Sequence, residues 1–152
     1  MNYLYKTKTT NTFEEYKRFS RILFYKKKSI IIYAFAAAFL IFDGIILDNP
    51  FFILFAIFYP ILIWFLHNRQ VKKVFSTNKA LQNAVAEFEF YDTHFTETNI
   101  YGGATLEYSK LYKIIETKTN FYLMIAKNQG YILCKKNFPE GLDEFLRSIK
   151  ID

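Results

Sequence analysis

Cysteine is almost missing from this chain: Cys134 is the only one in 152 residues. One thiol closes no disulfide within a chain and makes no cysteine zinc site, so a secreted disulfide scaffold is excluded. Proline occurs three times and glycine five times, which excludes collagen-like or linker-dominated sequence. His67 and His94 are the only histidines, far apart and with no carboxylate at ligand spacing, so no metal site is expected. A G-x-S-x-G nucleophile elbow and a G-x-x-x-x-G-K-[ST] phosphate loop are both lacking. Lys and Arg are absent from residues 29–68, a gap that organises the rest of the reading.

What is abundant is aromatic. Eighteen Phe and twelve Tyr make most of a 20% aromatic fraction, within a 52% apolar chain that is far from a disordered composition. The net charge of +6 is carried by the first 28 residues, which hold eight basic and two acidic side chains. Residues 29–68 have only Asp43 and Asp48, and residues 69–152 hold twelve basic against ten acidic.

The charge-poor middle reads as membrane. Ser29–Leu47, SIIIYAFAAAFLIFDGIIL, has Asp43 as its only charge, and Pro50–Leu66, PFFILFAIFYPILIWFL, has none. At about 1.5 Å per residue these span roughly 28 and 26 Å, close to the ~30 Å of a bilayer core. Only Asp48 and Asn49 separate them, which forces two antiparallel helices, with Pro50 suited to the first position of the second. A soluble helix pair would show a polar stripe, and neither segment has one. The apolar run also continues well past any signal-peptidase site.

Orientation follows from the basic residues. Lys26, Lys27 and Lys28 precede the first span, Arg69, Lys72 and Lys73 follow the second, and the turn has none, so both termini are expected in the cytoplasm. Tyr25, Tyr33 and Trp64 suit the cytoplasmic aromatic belt. The same six basic residues are expected at the membrane surface, drawn to anionic lipid at about 1 kcal/mol each.

Before the spans, residues 1–9 alternate, Tyr3 and Tyr5 against Asn2, Leu4 and Lys6, and read as a short strand. Thr12-Phe13-Glu14-Glu15 then has capping-box form, and Phe13, Tyr16, Phe19 and Leu23 recur at helical spacing. This basic amphipathic helix is suited either to lipid or to packing on the cytoplasmic part. Residues 67–82 continue helically through Val71, Val74, Phe75 and Leu81. The period then changes to two: residues 84–91, 94–101, 104–108, 111–118, 121–126 and 131–135 read as strands. Pro139 opens a last helix with Leu142, Phe145, Leu146 and Ile149 on one face. The predicted fold is α+β: a transmembrane hairpin and a small antiparallel sheet or partial barrel capped by a C-terminal helix. The expected divisions are 1–28, 29–66, 67–83 and 84–152.

The order of these features, with Phe88-Glu89-Phe90-Tyr91-Asp92, the Gly102-Gly103 pair and above all the stretch Tyr108–Phe138, resembles the YcxB-like family of bacterial membrane proteins. That stretch is also similar to pleckstrin-homology-like (PH-like) domains of such proteins. The resemblance implies a PH-like fold and the bacterial inner membrane, and it brings no catalytic residues.

Asp43 is the one intramembrane charge, a class that is functional by default, although it lies about 7 Å of helix rise from the polar turn. Cys134, between apolar neighbours, reads as a buried small hydrophobe. The cytoplasmic part is only +2, which argues against nucleic acid. No cofactor and no enzymatic activity are expected. The chain reads as a membrane-anchored interaction or regulatory protein, with lipid and a protein partner or second copy as its contacts. Alternatively it is an accessory subunit or modulator of a membrane system (transport, secretion, stress or toxin protection), for which Ala36-Ala37-Ala38 offer a close-packing face.

Overall fold

The computed structural model describes residues 2–25, 27–79 and 82–151, the side chains of residues 27–30 excepted. Among the described residues it is an α+β structure with four α-helices and two antiparallel sheets. The chain divides into two compact units, Met1–Tyr16 with Asn78–Asp152, and Lys17–Thr77.

The first unit holds the strands. β1 (Tyr5–Thr10), β2 (Val85–Phe90), β3 (His94–Asn99) and β4 (Gly102–Glu107) form one sheet in that order. β5 (Lys113–Glu116), β6 (Asn120–Ala126) and β7 (Gln129–Cys134) form the other. α4 (Leu142–Ser148) closes the unit. The N-terminal strand thus belongs to the sheet. Its register sets Lys6 opposite Glu89 and Lys8 opposite Glu87, and the ammonium groups reach those carboxylates at 2.7 and 2.6 Å. Opposite charges directly across a strand pair favour one register, and a one-residue slip would turn them to the wrong face.

β1 also lies along β7. Thr9 Oγ1 accepts the Cys134 N–H at 3.2 Å, Thr7 Oγ1 donates to the Asn137 carbonyl at 2.8 Å, and Asn137 Nδ2 donates to the Lys8 carbonyl at 2.6 Å. The two sheets and α4 enclose one core of Phe88, Phe90, Phe95, Phe121 and Leu123 with Leu133, Leu142 and Leu146. Its rings meet in both stacked and edge-on pairs, as Phe95 does with Tyr108 at 6.1 Å and 22° and with Tyr131 at 5.5 Å and 85°, geometries the ring quadrupole favours.

Several predicted strand bounds shift. Gly102-Gly103, left between the expected strands 94–101 and 104–108, begins β4, with Gly102 at φ 140°. A glycine reaches that angle without a Cβ clash, so the turn and the strand run together. Gln129 and Gly130, left between the expected strands 121–126 and 131–135, open β7. The last helix stops at Ser148, and Ile149 is extended.

The second unit is helical. α1 (Phe13–Phe24) starts in the first unit, where Thr12 Oγ1 accepts the Glu15 N–H at 3.3 Å as the capping box requires. α2 (Lys27–Ile46) and α3 (Pro50–Thr77) pack on each other across a short turn. Asp48 takes φ 47° there, and Asn49 Oδ1 accepts the Phe51 N–H at 3.1 Å. Close packing at the turn needs Gly44, where a Cβ would stand 2.7 Å from Ile53 Cγ1. α3, with 28 residues, is about 42 Å long. Among the described residues it is the one helix long and apolar enough to cross a membrane, while Ile31–Ile46 forms a shorter apolar helix.

Candidate membrane-contact unit and the sheet-unit groove

The outside of the helical unit is apolar. Phe35 is 73% exposed, Phe51 75% and Ile45 68%, and only 6% of the most apolar stretch of α3 is buried. The residues buried on α3 are Ala56 and Val71, and Gly44 is buried on α2. Helix-to-helix approach therefore relies on Gly44 and Ala56. Ala36 and Ala37 are half-buried and Ala38 is exposed.

The basic residues named from the sequence separate into two groups. Arg69, Lys72 and Lys73 all stand exposed on α3, one to two turns beyond Leu66. Lys26, and the side chains of Lys27 and Lys28, lie outside the described residues, as does Leu81. Asp43 is half-buried on α2, beside Gly44 and one turn from the loop. His67 is stacked on Phe24 at 4.0 Å, with its Nε2 3.5 Å from Ser20 Oγ. Phe24 in turn meets Tyr33 at 6.0 Å, and Tyr33 meets Tyr59 at 6.4 Å. His67 thus sits in an aromatic row that ties the end of α1 to α2 and α3.

The sheet unit has a separate open groove of about 700 Å³ between the β2–β3 turn, the end of β4 and α4. Tyr108 and Phe145 are among its apolar wall, and Asp92, Glu107, Lys110 and Lys150 give it charges of both signs. Burial pushes the Tyr108 hydroxyl well above its ordinary range, and it donates to the Tyr91 carbonyl at 2.9 Å. The Tyr91 ring stacks on His94 at 4.6 Å. Neither charge sign dominates, so the groove favours no one class of charged ligand. Among the described residues no three His, Cys, Asp or Glu are placed to hold a metal ion.

Two further polar groupings were not read from the sequence. Asn120, 1% exposed, donates to Glu15 Oε2 at 2.6 Å and lies 3.7 Å from Cys134 Sγ. The capping-box carboxylate thus reaches the sheet 105 residues away. On the other side, Glu116 receives Arg147 through Nε and Nη2 at 3.0 and 2.8 Å and Lys135 at 2.5 Å. Those donors, Arg147 first, hold its carboxyl down at about 2. Sequence could have hinted at the β1 pairing, because alternating Lys6 and Lys8 complement alternating Glu87 and Glu89. It had no signal for Glu15 with Asn120 or for Glu116 with Arg147, which are brought together only by folding.

No curated protein and no solved structure matches the chain. Residues 90–149, from the last residue of β2 through α4, match the family model described as YcxB-like protein, and over that stretch the resemblance read from the sequence is shown.

Proposed function

We propose that this is a membrane-anchored, non-enzymatic interaction or regulatory protein. α2 and α3 form the bilayer hairpin and the sheet unit is a PH-like domain held at the cytoplasmic face of a bacterial inner membrane. One observation carries the reading: an apolar helix pair with its large side chains turned outward is inserted between β1 and β2 of a soluble-type sheet unit with a buried aromatic core. An exposed surface of Phe, Ile and Leu is costly in water and favourable in lipid. Four strands, then three, then a helix, is the order that supports the PH-like assignment. Residues 50–66 match the hydrocarbon thickness, and Arg69, Lys72 and Lys73 then fall at the cytoplasmic headgroups.

The test is topology in the full chain. Reporters at both termini should read cytoplasmic, a reporter inserted between Asp48 and Asn49 should read external, and the protein should stay in the membrane pellet at alkaline pH. Alkaline release into the supernatant would sink the reading. The accessory-subunit reading draws on the half-buried Asp43 and on the outward apolar face, which a partner's helices could cover as well as lipid. Asp43→Asn with normal insertion but lost cellular function would favour that reading. Preserved function after the sheet unit is moved to an unrelated hairpin would count against it.

A further inference from the structure

Sheet edges expose a row of unpaired backbone groups, and proteins ordinarily cover or charge them. Three of the four edges in the sheet unit are managed this way. β1 and β7 are tied to each other through Thr7, Thr9 and Asn137. β5 carries Lys113 and Glu116, the latter locked to Lys135 and Arg147. β4 is the exception. Gly102, Gly103, Ala104 and Thr105 are all exposed, and the strand pairs on one side only, with β3. Among the described residues nothing hydrogen-bonds its outer edge. It has no Pro, no Lys and no bulge, and its only charge is Glu107 at the end. At its start stand Ile100, 79% exposed, and Tyr101, 60% exposed. Ile100 is the most exposed large apolar side chain among the described residues. The tip is also ordered: Asn99 Oδ1 accepts the Tyr101 N–H at 2.7 Å while Asn99 Nδ2 donates to Glu97 at 2.6 Å.

We propose that β4 is a homodimer edge, pairing antiparallel with β4 of a second copy about Thr105 to make one eight-stranded sheet. A row of free N–H and C=O groups is satisfied by another extended backbone, and the small side chains of Gly102, Gly103 and Ala104 let one lie close. The chain itself carries a strand that fits. A two-fold axis through Thr105 sets each Gly103 across from the other copy's Glu107 and keeps the two Glu107 carboxylates about 14 Å apart along the strands. Parallel pairing in register would put those like charges side by side, which is unfavourable. The Thr96–Thr105 pair within one copy then continues through a Thr105–Thr105 pair, a favourable cross-strand combination. One strand pairing buries little area, so confinement of both copies to one membrane supplies the effective concentration. In that last respect alone the inference rests on the proposed membrane location.

The experiment is cysteine crosslinking of the full chain in freshly broken cells with copper–phenanthroline as the added oxidant, because cytoplasmic thiols otherwise stay reduced, with fractionation of the same sample. Cys134 is 3% exposed, so the parent chain serves as baseline. Thr105→Cys should give at least tenfold more disulfide dimer than Ala104→Cys, whose Cα atoms would lie about 8 Å apart in this register, beyond disulfide reach. Lys113→Cys on β5 should stay at baseline. Equal crosslinking at all three positions, none at Thr105→Cys, or a preference for Ala104→Cys overturns the proposal. A crosslinked dimer in the soluble fraction would refute the membrane location and leave the edge pairing standing. A membrane-bound chain without crosslinks would do the reverse. As a second readout, Thr105→Lys sets two ammonium groups opposite each other and should shift the mass in mild detergent from dimer to monomer. An unchanged mass would overturn the pairing.

Discussion

Phe95 and Phe35 are the same residue in opposite situations. Phe95 is 0% exposed among Phe88, Phe90, Tyr108 and Tyr131, whereas Phe35 is 73% exposed on α2. The sheet unit hides Phe88, Phe90, Phe95 and Phe121 and shows charges, while α2 and α3 hide Gly44 and Ala56 and show Phe35, Phe51 and Phe58. In the proposed membrane setting each unit is arranged for its own solvent. In water the burial of large apolar side chains drives folding. In lipid that drive is gone, and close backbone approach at small residues takes its place. The same contrast explains where polar groups do structural work: in cross-strand ion pairs and buried amides of one unit, and at the turn and ends of the other.

The contrast breaks most sharply at the core. Phe95→Ala should destabilise the sheet unit by about 3–5 kcal/mol, whereas Phe35→Ala should leave it unchanged. Amide hydrogen exchange of β3 and β6 in the detergent-solubilised chain reads both, and equal effects would refute the division into two solvents. Asn120→Ala removes the buried amide donor to Glu15 and should cost about 1–3 kcal/mol, seen as faster exchange at the start of α1 and in β6. Gly44→Leu tests the helical side. The added side chain meets Ile53 and should cost about 1–3 kcal/mol of packing, read as a several-fold slower disulfide between Tyr33→Cys and Tyr59→Cys.

The smallest effect belongs to the surface ion cluster. Glu116 is held at about 2 by Arg147 and Lys135, below its ordinary value of 4.5. A carboxylate lowered in the folded state contributes stability above its unfolded pKa and loses it as pH falls through the folded one. The difference in Tm between the parent and Glu116→Gln should be present at pH 7, shrink from pH 4.5 downward, and be gone only below about pH 2, the folded value. A difference that persists there would show that the substitution acts by packing instead of charge. The group is exposed, so the shift will be modest.

Much of this was legible in the order of residues. Alternation in Glu87-Phe88-Glu89-Phe90 is a period-two pattern that announces a strand with one wet face, and β2 follows it. Thr12 and Glu15 announced the start of α1, and the capping bond forms. Periodicity failed at Gly102-Gly103 and Gln129-Gly130, where glycine and glutamine add no apolar position to the pattern and the strands begin before the expected bounds. The basic residues Arg69, Lys72 and Lys73 were visible as a flank of the apolar run because charge and hydropathy are local properties.

Sequence alone determined what each segment needs from its surroundings: an apolar helix pair with Asp43 as the one charge in its apolar runs, a basic flank, and alternating strands with one apolar face. Those follow from side-chain chemistry and the geometry of helix and strand, which act over a few residues. Tertiary structure decided the partners. It paired β1 with β2 across the inserted helices, brought Glu15 to Asn120 and Glu116 to Arg147, and left β4 as an edge uncovered among the described residues. Contacts between residues 31 to 105 positions apart depend on which surfaces close upon each other, and no local pattern encodes that.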